Sequence, residues 1–282
     1  MAEGRRRALL TPTDVRRLLS RYGLAPRKAH GQNFVVDANT VRKVVRDAEI
    51  VSGQTVWEIG PGLGSLTLAL REAGALVVAV EIDAGMVAAL REVISDDDGV
   101  AIVHADALTV DLAAILPDEP VPLVANLPYS TATALVLRAL LSGRCARALV
   151  MVQKEVGQRW AATVGNASYS AVSVKLAALA DITVVGPVSR RAFHPVPGVD
   201  SVTVRMLPRP WRHAVDREAL FGLVQAGFAQ RRKRLRNALA AGGHRPVDVE
   251  AALVAVARDP GSRAEELDLD AWAALAERLG RP

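Results

Sequence analysis

The feature that most constrains the fold is an alternation of continuously apolar runs with amphipathic stretches between residues 55 and 152. The apolar runs predict strands at 55–59, 76–81, 100–104, 121–125 and 147–152. Helical periodicity predicts helices between them at 65–73, 84–94 and 131–142. Strands that are apolar on both faces are typical of a parallel sheet covered by helices on each side. We therefore predict an α/β fold with a mostly parallel sheet.

The last third of the chain has a different pattern. After a helical pattern at 168–180, two predicted strands at 181–188 and 201–207 are joined by a proline-rich loop. That loop is too short for a parallel crossover, so the strands should pair antiparallel at one edge of the sheet. Beyond residue 208 only helical patterns remain, at 217–240, 247–257 and 270–279. We predict one domain over 1–207 and a small all-helical domain over 208–282.

Composition narrows the function classes. No apolar run approaches the roughly 20 residues that span a bilayer, and Met1 to Arg7 lack the apolar region of a secretion signal, so we expect a cytoplasmic protein with no membrane partner. One cysteine and five histidines without ligand spacing predict no metal site. A net charge of +5 favours a polyanionic partner.

Basic residues cluster in two places. One group contains Arg16, Arg17, Arg21, Arg27 and Lys28. The second group contains Arg231, Arg232, Lys233, Arg234 and Arg236, which a helix over 217–240 would carry. Clustered guanidinium groups suit contacts to phosphates, and solvated helix faces are the alternative. We predict that the second group binds RNA.

A glycine-rich turn follows the first strand of the alternation, at Glu58-Ile59-Gly60-Pro61-Gly62-Leu63-Gly64. Glycines there permit a tight turn and the close approach of a ligand to the backbone. Glu81 ends the next strand, where a carboxylate can accept hydrogen bonds from ribose hydroxyls. Asp106 ends the third strand, where its side chain could meet an adenine amino group. The layout resembles the S-adenosyl-L-methionine pocket of class I methyltransferases. A nicotinamide dehydrogenase is the alternative, but those enzymes have G-x-G-x-x-G spacing, whereas this chain has G-x-G-x-G.

The loop Asn126-Leu127-Pro128-Tyr129 directly follows the apolar run at 121–125. It resembles the active-site loop of methyltransferases that modify exocyclic amino groups of nucleobases. The Asn126 side-chain oxygen and the Leu127 carbonyl are suited to accept hydrogen bonds from such an amine, and Pro128 stiffens the loop. Tyr129 is a candidate platform for an unstacked base, with a core aromatic as the alternative.

Five segments, taken together, resemble the small-subunit (16S) ribosomal RNA adenine N6-dimethyltransferases of the KsgA/RsmA type. They are Gly31–Phe34, Glu58–Gly64, Asn126–Tyr129, Phe193–Ser201 and Phe228–Leu239. The resemblance covers nearly the whole chain. It implies a class I (Rossmann-like) methyltransferase sheet and the transfer of two methyl groups to N6 of each of two adjacent adenosines in the 3′-terminal hairpin loop of small-subunit ribosomal RNA.

The resemblance also assigns residues. It implies that Phe193 covers the second face of the target base, with a loop-anchoring hydrophobe as the alternative. It places the methionine end of the cofactor against Asn33 and Val35, where a helix-entry turn is the alternative. The full cofactor set that it implies is Asn33, Val35, Gly60, Gly62, Glu81, Ile82, Asp106, Ala107 and Asn126. The chain departs from the usual pattern at Val35, Ser130 and Ala134.

Two other functions remain open at this point. One is a large-subunit RNA adenine methyltransferase of the macrolide-resistance type, which shares the pocket; the loop from Phe193 to Ser201 and the basic helix favour the small-subunit type. The other is a ribosome-assembly factor that acts mainly by binding, although intact Asn126 and Tyr129 favour catalysis. We expect a monomer that acts on an immature 30S particle.

Overall fold

The structure, a computed structural model, describes residues 8–24, 33–95 and 97–281. The described residues form two compact units, one within the ranges 1–157 and 183–208 and the other within 158–182 and 209–282. The first unit ends at residue 208, and the predicted domains, 1–207 and 208–282, stay a prediction. Residues 158–182 belong with the helical unit instead of the sheet unit. That one domain carries the chemistry and the other binds RNA stays a prediction.

The large sheet has the predicted α/β character. The chain contains seven strands of this sheet and two short strands outside it, β1 and β8. In chain order they are β1 (Phe34–Val35), β2 (Thr55–Ile59), β3 (Leu76–Glu81), β4 (Val100–His104), β5 (Val121–Asn126), β6 (Cys145–Gln153), β7 (Ala180–Val188), β8 (Phe193–His194) and β9 (Ser201–Pro208) among the described residues. The seven-stranded order is β4-β3-β2-β5-β6-β9-β7. The strands from β4 to β6 in this order run parallel, and β9 runs antiparallel to β6. The predicted mostly parallel sheet with antiparallel pairing near one edge is confirmed.

Strands β1 and β8 form a separate antiparallel ribbon, in which Phe34 pairs with His194 and Val35 with Phe193. Two-residue strands carry no periodicity, so the sequence predicted neither. The ribbon ties the chain just before the second helix to the proline-rich loop.

The helices follow the predicted pattern over most of the chain, and aspartates begin several of them. Asp37, Asp83 and Asp111 each accept a hydrogen bond from a backbone N–H of the first helical turn. The helices are α1 (Pro12–Arg21), α2 (Ala38–Asp47), α3 (Ser65–Glu72), α4 (Ala84–Ile94), α5 (Leu112–Ile115), α6 (Ala132–Leu141), α7 (Lys154–Trp160), α8 (Ala171–Leu179), α9 (Arg217–Ala229), α10 (Leu235–Ala240), α11 (Pro246–Ala255) and α12 (Leu269–Leu279). No helix among the described residues has the length and apolar character that crossing a bilayer requires.

One predicted helix, 217–240, is wrong. Helix α9 ends at Ala229 and α10 begins at Leu235, with exposed residues 231–234 in the turn between them. An unbroken helix would place Arg231 and Arg234 at helical spacing from buried Val224 and Gly227, and burying those charges is costly. The break keeps the arginines in solvent.

The helical unit packs around Trp272, whose side chain is fully buried. Buried leucines of α9, α10 and α11 surround it: Leu220, Leu223, Leu235, Leu239 and Leu253. Gly227 lets α9 approach this ring, because a Cβ there would lie 2.9 Å from Leu235 Cδ1 and closer still to the indole. Gly222 on the same helix has open space at the corresponding position.

These two glycines give a matched test of the packing. We expect Gly227→Ala to lower the free energy of unfolding by about 1–3 kcal/mol, since Trp272 and Leu235 must shift. Gly222→Ala should leave it unchanged or raise it by up to about 1 kcal/mol, because alanine is the better helix former. Chemical unfolding followed by circular dichroism measures both. Equal stability of the two variants would contradict this packing.

Candidate active site at the carboxyl ends of the parallel strands

The candidate site lies where the parallel strands end at one edge of the sheet. The register pairs Ile59 with Val80, Glu81 with His104 and Asn126 with Met151, so the carboxyl ends of these strands are level. Open α/β sheets bind ligands at this edge. A cavity of about 500 Å³ lies there within the sheet unit.

The cavity brings together every residue of the predicted cofactor set. Its lining also includes the first two members of the loop after Asn126, and two buried polar residues, Glu58 and Ser65, that were not predicted as site residues. The predicted residues that line it are Asn33, Val35, Gly60, Gly62, Glu81, Ile82, Asp106, Ala107, Asn126, Leu127 and Pro128. Gly31 and Gln32, also part of the sequence pattern, lie outside the described residues.

The glycine turn is held by Glu81. Gly62 N–H donates to Glu81 Oε2 at 3.1 Å, and Asp83 N–H donates to Oε1 at 2.9 Å. Gly62 has φ 56°, and a Cβ there would lie 3.0 Å from the Phe34 ring, so glycine is required on both counts. Burial raises the pKa of Glu81, while these backbone donors oppose the shift. Each carboxylate oxygen keeps a lone pair for a ligand hydroxyl.

Glu58 is a second buried carboxyl group in the lining. It is 1% exposed and accepts a hydrogen bond from Thr67 Oγ1 at 2.7 Å. Burial raises the pKa of Glu58 from 4.5 to about 8, and the negative charge of Glu81 adds to the rise. Glu58 is therefore mostly protonated at neutral pH. A carboxylate inside an otherwise apolar strand was the sequence signal for this residue.

Ser65, the first residue of α3, is the other polar group that sequence reasoning missed. It lines the cavity and is 8% exposed, and its hydroxyl has no hydrogen-bond partner among the described residues. A buried hydroxyl without a partner is costly, so a ligand that hydrogen-bonds Ser65 would gain affinity.

Asp106 lies two residues beyond the end of β4. Its Oδ1 accepts from Leu108 N–H at 2.8 Å, which fixes the carboxylate while leaving Oδ2 for a ligand. The side chain of Ile82, on the neighbouring strand end, is 63% exposed. An exposed apolar group beside a fixed carboxylate suits a flat ring that carries an amino group, such as adenine.

The Asn126 side chain has a defined orientation. Its Nδ2 donates to the Asn33 carbonyl at 2.9 Å. Only the amide nitrogen can donate to a carbonyl, so Oδ1 is the outward atom, and no group among the described residues donates to it. The Leu127 carbonyl likewise accepts no hydrogen bond from the described part of the chain, whereas the Pro128 carbonyl accepts from Thr131 and Ala132. The loop therefore presents two acceptors next to the cavity.

Tyr129 and Phe193 differ from the acceptors in placement, because neither lines the cavity. The half-buried Tyr129 has its hydroxyl 3.2 Å from Ser201 Oγ. Phe193 was predicted to lie in an irregular loop, and this is wrong, because it belongs to β8 and is 2% exposed within the hydrophobic core. Its ring anchors the β1–β8 ribbon, as the alternative interpretation expected, and its stacking on a base stays a prediction.

The predicted RNA-binding residues lie in the helical unit, in the turn before α10 and on α10. Arg231 forms an ion pair with Glu265 and donates to the Ala167 carbonyl, and Arg236 forms an ion pair with Glu250. Arg232, Lys233 and Arg234 are exposed. The sequence predicted that one helix over 217–240 carries this group, and this is wrong, because Arg231 to Arg234 precede α10. Arg27 and Lys28 of the other basic group lie outside the described residues.

Comparison with known proteins identifies the family. The profile of the ribosomal RNA adenine dimethylase family matches residues 23–279. The chain belongs to this family. It is an rRNA adenine dimethyltransferase with a class I methyltransferase fold.

Curated relatives and solved structures agree with this assignment. The chain is 46% identical over 279 residues to the ribosomal RNA small subunit methyltransferase A of Streptomyces griseus, with 96% of this chain and 95% of that protein covered. The Thermobifida fusca protein of the same name is 46% identical over 278 residues, covering 95% and 96%. The 23S rRNA methyltransferase ErmE has a TM-score of 0.66 and 29% identity, covering 88% of this chain and 100% of that one. A dimethyladenosine transferase from Plasmodium falciparum shares the fold, with a TM-score of 0.69, 24% identity and coverage of 86% and 95%.

The protonation of Glu58 can be tested through stability. A buried carboxyl whose pKa rises on folding stabilises the folded state below pH 4.5, and that contribution is lost as the pH rises to about 8. Relative to Glu58→Gln, the wild-type protein should therefore lose stability between pH 5 and 8, by about 1.4 kcal/mol per unit of pKa shift, and then level off. Because the charge of Glu81 raises the pKa of Glu58, the difference measures the titration of Glu58 together with its coupling to Glu81. A pH-independent difference in unfolding free energy would show that Glu58 keeps an ordinary pKa.

Proposed function

We propose that this enzyme transfers methyl groups from S-adenosyl-L-methionine to N6 of two adjacent adenosines in the 3′-terminal hairpin loop of small-subunit ribosomal RNA, during ribosome maturation. The observation that carries the proposal is the orientation of Asn126, which leaves Oδ1 as an acceptor beside the cavity. The curated relatives named as small-subunit methyltransferases support the choice of RNA.

The cavity residues fit S-adenosyl-L-methionine. The remaining lone pairs of Glu81 suit the two ribose hydroxyls, Asp106 Oδ2 suits the adenine amino group, and exposed Ile82 suits the face of that ring. The orphan hydroxyl of Ser65 and the chain at Asn33 and Val35 remain for the amino-acid end. When bound, the cofactor supplies a methyl group on a positively charged sulfur, which is the electrophile.

The loop after β5 can position and polarise the target amine, which by itself reacts slowly. The lone pair of an adenine N6 is delocalised into the ring, so the amine is a poor nucleophile until it is held in position. Acceptance of its protons by Asn126 Oδ1 and the Leu127 carbonyl would orient the nitrogen and stabilise the positive charge that develops on it. No strong general base is required, because the methylated nitrogen is acidic while positively charged and releases its proton to solvent.

A base reaches this loop only after it leaves its stack. Stacking on an aromatic ring recovers roughly 1–3 kcal/mol of that cost. Tyr129 directly follows Pro128, so its aromatic ring lies within three residues of the Asn126 acceptor in the sequence. We therefore assign Tyr129 as the platform for the target adenine.

The large-subunit alternative shares these features, so the RNA decides between them. The chain is 46% identical to the named small-subunit enzymes and 29% identical to ErmE, a large-subunit methyltransferase. The test is to incubate the purified protein and a methyl donor with undermethylated small-subunit and large-subunit particles, and then map N6,N6-dimethyladenosine by mass spectrometry. We expect two adjacent modified adenosines near the 3′ end of the small-subunit RNA. Modification of large-subunit RNA alone would favour the alternative, and binding without methylation would favour an assembly factor.

Removing the Asn126 acceptor should reduce turnover. We expect Asn126→Ala to lower kcat at least about a hundredfold, the range for deleting one preorganised polar group, while the affinity for S-adenosylhomocysteine stays nearly intact. Single-turnover methylation and calorimetry measure the two quantities. Near-normal turnover would exclude Asn126 from the reaction.

Removing Glu81 should affect cofactor binding instead. We expect Glu81→Ala to weaken the binding of S-adenosyl-L-methionine by about 1.5–3 kcal/mol, because the ribose hydroxyls lose the charged carboxylate that accepts their hydrogen bonds. RNA affinity should barely change. Glu72→Ala, which removes the same charge from the outer part of α3 near Arg42, is the control and should bind the cofactor normally. Unchanged cofactor affinity of a folded Glu81→Ala protein would reject the assignment.

Some basic residues of the helical unit are held in ion pairs, whereas others are exposed in the turn before α10. We expect the exposed ones to bind RNA phosphates. We expect neutralisation of Arg232 and Lys233 to reduce the slope of log affinity against log salt by up to about 0.7–0.9 for each phosphate that the variant no longer binds. Arg258 and Arg281, which pair with Asp268 and with Asp216 and Glu218, are the matched control and should leave the slope unchanged. RNA titrations at several salt concentrations measure it. Equal slopes for both double variants would assign the basic turn to a solvated surface. A monomeric state and a cytoplasmic location remain predictions.

A further inference from the structure

Tyr129 and Ser201 share a hydrogen bond that the chemistry above does not use. The Tyr129 hydroxyl lies 3.2 Å from Ser201 Oγ. Ser201 is 1% exposed, so its hydroxyl is cut off from water. Among the described residues each hydroxyl has only the other as its hydrogen-bond partner. Loss of the Tyr129 hydroxyl would leave the buried hydroxyl of Ser201 unpaired.

The bond joins parts of the sheet that are not neighbours. Tyr129 follows β5, Ser201 is the first residue of β9, and β6 lies between these strands. Ser201 pairs with Gln153 in the β6–β9 register. The bond therefore links the loop that carries Asn126 to a strand two positions away in the sheet.

Ser201 is the fixed partner of the two. Asp200, the residue before it, accepts from Lys154 N–H at 3.0 Å with its carbonyl and from Arg190 N–H at 3.1 Å with its carboxylate. Tyr129 instead lies in a loop between β5 and α6, and its hydroxyl is the ring atom farthest from the backbone. A hydrogen bond at that atom restrains the ring from swinging about the Cα–Cβ bond, because the hydroxyl moves farthest in that motion.

We propose that Ser201 is a positioning residue for the target base, which acts by holding the ring of Tyr129 in one position at the end of the loop that carries Asn126. The proposal rests on the proposed role of Tyr129 as the base platform. It gives the serine at the end of the proline-rich loop a function in the reaction that does not require contact with RNA or cofactor.

A double-mutant cycle tests the proposal. Ser201→Ala and Tyr129→Phe remove the same bond from opposite ends, and the second keeps the stacking ring. We expect each to lower kcat/KM for RNA about two- to tenfold, the range that one neutral hydrogen bond supports. The double variant should be no worse than either single variant. In RNA that carries 2-aminopurine at the mapped adenosine, all three variants should change the fluorescence of the bound base to a similar extent, because that signal reports stacking of the flipped base.

Thr203→Ala is the matched control. Thr203 is 2% exposed on the same strand, and its hydroxyl donates to the Gly186 carbonyl at 3.3 Å, away from Tyr129. We expect it to change stability only. Wild-type kcat/KM for both Ser201→Ala and Tyr129→Phe would overturn the proposal, and so would additive losses in the double variant. If Ser201→Ala fails to fold, Tyr129→Phe and its fluorescence signal decide alone.

The platform role itself has a separate test. Tyr129→Ala removes the ring, and wild-type kcat/KM in that variant would reject the platform. A loss in Tyr129→Ala together with normal activity in Tyr129→Phe would keep the platform and reject positioning by Ser201.

Discussion

The site depends on the hydrogen bond from Asn126 Nδ2 to the Asn33 carbonyl. A primary amide can turn either end outward, and only a fixed acceptor on one side makes the other side a defined oxygen. The Asn33 carbonyl is held in turn by the β1–β8 ribbon, which begins at the next residue and is anchored by buried Phe193. The family resemblance assigned the ring of Phe193 to the target base, but in this conformation the ring has a structural role. It fixes the chain that orients the acceptor.

The second constraint is electrostatic. Glu58 and Glu81 are buried at adjacent strand ends, and two carboxylates in one cavity oppose each other's ionisation. Backbone donors at Gly62 and Asp83 favour the charged form of Glu81, whereas Glu58 has one hydroxyl donor and a pKa of about 8. The arrangement keeps one acidic proton in the wall of the pocket at neutral pH. It leaves Glu81 as the acceptor suited to ribose hydroxyls.

Much of this architecture follows from local patterns. Apolar strands and amphipathic helices predicted the sheet, and the strand ends placed Glu81, Asp106 and Asn126 at one edge, because parallel strands end together. Contacts between distant segments were not predictable in this way. The pairing of Val35 with Phe193 and the bond from Tyr129 to Ser201 join residues far apart in sequence and leave no periodic signal. The break before α10 was missed because helical propensity continues through the arginines. The need to keep them out of the core follows from the burial of Val224 and Gly227, which only the structure shows.

The central claim is that Asn126 presents its oxygen to the amine of the target adenosine. A structure of the enzyme with S-adenosylhomocysteine and an undermethylated small-subunit particle tests it most directly. The account predicts N6 of the flipped adenosine at hydrogen-bond distance, about 2.7–3.2 Å, from both Asn126 Oδ1 and the Leu127 carbonyl, with Nδ2 still on the Asn33 carbonyl. An adenosine bound elsewhere, or an Asn126 amide turned away from Asn33 with its nitrogen toward the base, would contradict it.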